Sequence, residues 1–147
     1  MDRDSRPSTP GHDETIELEE REPTMHDAVD GVMPARVIRV RSVADAVEIV
    51  RSSNARRQPL IIRGGGTRLS VGNPPRELES IVSMDAMVRV LAYSPDDMVI
   101  TTEAGMPLAD LDRVLAPAGQ RVPLEAPNPE LATIGGLAAA NFNGGIA

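Results

Sequence analysis

The chain has 147 residues, a net charge of −7 and 41% hydrophobic residues, about the length of one domain. It has no cysteine, which excludes disulfides, zinc–thiolate centres and thiol chemistry, and all 15 of its basic residues are arginine. With no tryptophan, one tyrosine (Tyr93) and one phenylalanine (Phe142), its core has to be built from Val, Ile, Leu, Ala and Met.

The charge is unevenly placed. Residues 1–31 hold ten acids and three arginines, whereas residues 32–147 hold twelve of each. The acidity thus belongs to the N-terminal stretch, and no basic face is evident, so nucleic acid is not an expected partner. No apolar run approaches the roughly 20 residues of a membrane span, and the first residues lack a signal pattern. The sequence reads as a soluble cytoplasmic chain.

Residues 1–32 are rich in Pro, Ser, Thr, Asp and Glu. Such composition buries too little apolar surface to offset ordering entropy, which predicts a disordered acidic tail ahead of a domain over residues 33–147. Ile16–Glu20 is at most a transient helical turn within it. His12 and His26 lie in this stretch without partner ligands nearby, so neither reads as a metal or catalytic residue.

Arg36–Val40 alternates as a short strand. Ser42 then caps a helix, with Asp45 three residues on as a weaker relative of the capping box and Val43, Ala46, Val47 and Val50 on one face. Pro59–Arg63 is a second strand, and the strand–helix–strand unit predicts a parallel pair. Residues 69–75 read as irregular chain, because prolines and Gly72-Asn73 break both periods.

Between them stands Arg63-Gly64-Gly65-Gly66-Thr67. Glycines after a strand let the backbone take φ > 0 and let N–H groups approach a ligand closely. Successive N–H groups turned to one side form an anion-binding nest suited to a phosphate. The same residues also suit a plain strand-ending turn. Neither familiar phosphate motif fits. The G-x-G-x-x-G spacing from Gly64 places its last glycine at Leu69, and a P-loop needs a lysine that this chain lacks.

Strands follow at Ser80–Met84, Val88–Tyr93 and Met98–Glu103, the last two joined by a turn at Ser94–Asp97. Pro107 suits the first turn of a helix whose stripe is Leu108, Leu111, Val114 and Leu115, with Gly119 as its stop. Residues 120–129 are extended and proline-stiffened. Thr133 caps a short helix through the alanines, leaving free N–H groups beside Gly135 and Gly136. A glycine turn before a tightly packed Ala-rich helix is the alternative. Glu103, Glu125 and Glu130 have no motif to single them out as catalytic.

Taken in order, Arg63–Thr67, the strand ending Glu103-Ala104-Gly105, Gly119-Gln120-Arg121, Thr133-Ile134-Gly135-Gly136 and Ala140–Gly144 resemble the FAD-binding domain of the vanillyl-alcohol oxidase / p-cresol methylhydroxylase (PCMH) class. Within that class the chain is most similar to FAD-binding subunits of the glycolate oxidase type and their D-lactate dehydrogenase-like relatives. The resemblance runs from about Met33 to Gly145.

It implies an α+β lobe, with a small mixed sheet flanked by helices. It implies that Arg63, Gly64, Gly65, Gly66 and Thr67 bind the FAD diphosphate through backbone N–H groups. Thr133, Gly135, Gly136, Asn141 and Gly144 would lie along the ribityl chain and flavin. Some relatives attach the flavin through a histidine in the first loop; Thr67 holds that place here, which implies non-covalent FAD. The resemblance further implies a flavin-dependent oxidoreductase acting on a 2-hydroxy acid, with other subunits of a glycolate-oxidase-like complex as partners. Relatives continue past this point, so the lobe is expected to be C-terminally truncated. A non-catalytic FAD-binding or assembly subunit and an inert fragment remain as alternatives.

Overall fold

A computed structural model describes residues 18–142. The architecture is the expected α+β arrangement of small sheets and helices. A four-stranded sheet is built from β1 (Glu19–Arg21), β2 (Arg36–Arg39), β3 (Leu60–Arg63) and β4 (Ser80–Ser83), in the order β1-β2-β4-β3. β2 and β3 both run parallel to β4, and β1 is antiparallel to β2.

Two sequence expectations are corrected here. The strand–helix–strand unit does not pair its own strands, because β4 inserts between them. All four residues of β4 are buried, as a strand covered on both faces and flanked on both edges must be. The second correction concerns the tail. Of the stretch expected to be disordered, residues 18–31 are ordered: Glu19–Arg21 pairs with β2, Val29 lies in the core and Asp27 is 1% exposed. The opposite charges of Arg21, Arg36, Arg39 and Arg41 offset its acids, with Glu19 and Glu20 salt-bridged across the sheet edge. Composition averaged over the stretch conceals this pairing.

The sheet separates two apolar clusters, as the alternation of a strand requires. Ile38, Val40, Val82 and Met87 pack with Ile49 of helix α1 (Val43–Arg56) on one face. Val37, Ile81, Leu78 and Val29 pack on the other. The capping box of α1 forms as expected: Asp45 N–H donates to Ser42 Oγ at 3.1 Å, and Ser42 N–H to Asp45 Oδ2 at 3.0 Å. Its buried face does not. Val43, Val47 and Val50 are exposed, and the helix faces the sheet through Ala46, Ile49 and Ser53. The two stripes are adjacent on the helix, and only the position of β2 and β4 selects between them.

The second half is a hairpin of β5 (Val90–Ser94) and β6 (Val99–Thr102), followed by α2 (Leu108–Leu115) and α3 (Ile134–Ala139). Leu108, Leu111 and Leu115 of α2 are buried, while Val114 is exposed and outside the stripe. Pro107 is the N-cap of this helix. The hairpin is anchored at its base by Glu103, whose carboxylate takes three hydrogen bonds from the backbone and guanidinium of Arg89. Among the described residues no helix is long and apolar enough to cross a membrane.

Candidate functional site

The glycine loop leaves the carboxyl end of β3, the end of parallel strands where α/β sheets place ligands. Its start is fixed to the sheet: Met84 N–H donates to Arg63 O at 2.9 Å. It then runs directly against the segment that leads into α3. A Cβ on Gly64 would strike the Thr133 side chain, and one on Gly65 would collide with the backbone carbonyl of Leu131. Gly66 has φ +73, in the left-handed region that favours glycine. Side chains are thus excluded by close chain approach at Gly64 and Gly65 and by backbone conformation at Gly66.

The polar groups of the two loops differ. Among the described residues, the N–H groups of Gly64, Gly65, Gly66 and Thr67 donate to no backbone or side-chain acceptor. The start of α3 is the reverse, which corrects the expectation of free donors there. Ile134 N–H goes to Met106 O, Gly135 N–H to Ala104 O and Gly136 N–H to Thr133 Oγ1 at 3.2 Å. These donors hold α3 onto the base of the hairpin. The first loop keeps its donors; the second uses them for packing.

Between the loops lies a cleft of about 300 Å³. Of the residues expected at the site, Arg63, Gly64, Gly65, Gly66, Thr67, Thr133 and Gly136 line it together. Gly135 does not; it faces Ala104, whose Cβ would lie 2.7 Å from a Cβ at this position. Asn141 is also outside the lining, exposed after the end of α3 with φ +47. Gly144 falls outside the described residues.

The lining includes two cations, Arg63 and Arg68, and no carboxylate. Their states differ. Arg63 donates to Asp27 Oδ1 at 2.7 Å. Asp27 also accepts from both terminal nitrogens of Arg21 at 2.8 Å and from Thr24 N–H and Oγ. The Arg21 guanidinium, with Thr24 and Arg63, holds the Asp27 carboxyl far below the usual carboxylate range, against the opposing effect of burial. Arg68 has no carboxylate partner among the described residues and lies 4.0 Å over the Phe142 ring. Sequence reasoning missed both Asp27 and Arg68. Asp27 sat in a stretch assigned to the tail, and Arg68 follows the glycine loop with no motif around it.

The first loop therefore brings four unengaged amides, a left-handed glycine and a lining with arginines and no carboxylate to one cleft. At about 300 Å³ the cleft is at the lower end of ligand sites.

Comparison with known proteins gives the same direction. A family model described as FAD binding domain matches residues 34–145. The chain is 32% identical over 108 residues to a D-lactate dehydrogenase of Archaeoglobus fulgidus, covering 74% of this chain and 24% of that protein. It is 31% identical over 103 residues to glycolate oxidase subunit GlcE of Escherichia coli, covering 67% and 28% respectively. Among solved structures, an alkyldihydroxyacetonephosphate synthase aligns with a TM-score of 0.66 at 22% identity, over 76% of this chain and 23% of that one. The chain therefore spans about a quarter of the length of the relatives it matches. The glycine loop, the cleft and α3 all fall inside the matched segment, and the chain belongs to the FAD binding domain family.

Proposed function

We propose that this chain supplies the diphosphate-binding side of an FAD cleft in a flavin-dependent oxidoreductase. The observation that carries the reading is the set of unengaged N–H groups from Gly64 to Thr67, facing a cleft that carries arginines and no carboxylate. Bound FAD supplies the electron-accepting chemistry. The chain's own residues bind and orient. The Gly64–Thr67 amides donate to phosphate oxygens, and Thr133 and Gly136 form the facing wall. The Thr67 side chain offers no imidazole for a histidyl–flavin bond, which favours a non-covalently held cofactor.

The substrate class follows from the relatives. Proteins named D-lactate dehydrogenase, glycolate oxidase subunit and D-2-hydroxyglutarate dehydrogenase share the oxidation of a 2-hydroxy acid. We assign this chain to that chemistry, with glycolate or D-lactate as the type of substrate and the cytoplasm as its place. Two relatives are named as glycolate oxidase subunits, which favours a second reading: an FAD-binding or assembly subunit that turns over only within a complex.

The test is a titration of the purified 147-residue chain with FAD, followed by flavin fluorescence and thermal shift. Saturable binding that Gly65→Val abolishes supports the reading. A folded chain that shows no saturation at millimolar FAD removes it for this chain alone. Turnover of glycolate or D-lactate only after addition of co-purifying subunits would favour the assembly reading.

A further inference from the structure

The cation named by the glycine motif is not the cation available to a ligand. Arg63 is 15% exposed at its side chain and is held by the buried Asp27 carboxylate. One of its donors, Nη1, is committed to that carboxylate before any anion arrives, and Asp27 is shared with Arg21. Arg68 stands two residues past the last glycine, half-buried, in the lining of the same cleft. It also lines an adjoining cavity of about 130 Å³, which shares Thr67, Val71, Ala132 and Leu137 with the first. The guanidinium therefore stands where the two spaces meet.

What holds it there is the Phe142 ring, 4.0 Å away, at the far end of α3. A ring face attracts a cation but takes none of its N–H hydrogen bonds. Arg68 is thus positioned by stacking while its planar fork of donors stays open. No carboxylate competes for it among the described residues. A guanidinium fork matches two oxygens of a phosphate.

We propose that Arg68 is a phosphate-binding residue of the cleft, adding a guanidinium to the Gly64–Thr67 amides for the cofactor diphosphate while Phe142 holds its plane. The pairing gives the first loop and α3 a common ligand: the anion meets amides of one and a guanidinium stacked on the other. Arg63, by contrast, is a positioning residue that fixes the loop through Asp27. This inference rests on the cofactor reading above.

The experiment compares FAD, ADP and riboflavin as ligands of the full chain, by calorimetry or fluorescence. Arg68→Ala is expected to weaken FAD and ADP by the same factor, about tenfold or more, since a hydrogen bond to a charged group is lost from both. Riboflavin, which lacks the diphosphate, is expected to show the same affinity for wild type and variant. Phe142→Leu keeps the guanidinium and removes the stacking; it is expected to cost less than Arg68→Ala. Equal FAD and ADP affinity in wild type and Arg68→Ala overturns the inference and leaves the cofactor reading intact. So does a loss in Phe142→Leu as large as that in Arg68→Ala, which assigns Arg68 to joining the two segments. A wild-type chain that binds neither FAD nor ADP overturns the cofactor reading itself, and this inference with it.

Discussion

The Arg63 guanidinium lies 2.7 Å from the Asp27 carboxylate, joining the foot of the glycine loop to a segment 36 residues earlier. Asp27 is buried and takes donors from three residues, Arg21, Thr24 and Arg63. The stretch from Leu18 to Gly31 is therefore tied to the foot of the glycine loop. Three of its acids, Glu19, Glu20 and Asp27, are paired with arginines, which offsets its composition.

Asp27→Asn removes the charge and keeps the shape. It is expected to destabilise the fold by about 2 kcal/mol, since charge-assisted bonds to both arginines weaken together. The difference should depend on pH in one direction. The folded carboxyl titrates well below its unfolded value, so its stabilisation is complete above about pH 4 to 5 and is lost as pH falls below the unfolded value toward the folded one. Denaturant melts of both proteins from pH 7 to pH 2.5 check this: the gap between them should be flat above pH 5 and close below pH 4.

Gly66→Ala places a Cβ at φ +73 with no backbone atom close by. The expected cost is about 1 kcal/mol of conformational strain, read as a lower denaturation midpoint. Gly65→Ala meets the Leu131 carbonyl instead and has to separate the two loops. Its signature is different: diphosphate affinity falls more steeply than stability, measured by ADP binding beside a thermal melt.

Thr133→Ala removes the side-chain acceptor of Gly136 N–H at the start of α3. Loss of an N-cap acceptor costs about 1 kcal/mol, and Thr133→Ser should recover most of it. Thr133 is buried against Gly64, so Ser also tests whether its methyl packs there. Equal stability of the Ala and Ser variants would deny the cap.

The face of α1 is tested by a pair of truncations. Ile49→Ala is expected to cost about 3 kcal/mol, because Ile49 is 2% exposed in the cluster beneath the sheet. Val47→Ala, at 40% exposure, should change stability by about 0.5 kcal/mol or less. Chemical denaturation distinguishes the two; a reversed order would mean that the valine stripe packs on the sheet.

Most of the local structure was legible because its causes are local. The capping box at Ser42 and Asp45, the turn at Ser94–Asp97, the stop at Gly119 and the cap at Thr133 are each decided by a few neighbouring side chains. The need for a bare backbone at Gly64–Gly66 was legible for the same reason: a Cβ would collide at Gly64 and Gly65, and Gly66 has a positive φ.

What remained hidden depends on residues distant in the chain. The position of β4 between β2 and β3 follows from pairing of segments that hydropathy does not order. The buried face of α1 follows from that position, since its valine stripe and its Ala46–Ile49–Ser53 stripe are both apolar enough to choose. The sequence by itself determined where the glycine loop stands and that its amides have no side chains to shield them. Only the tertiary structure decided which arginine is free to use: Asp27 is brought to Arg63 and Phe142 to Arg68, and a charge is available or not according to what folding places beside it.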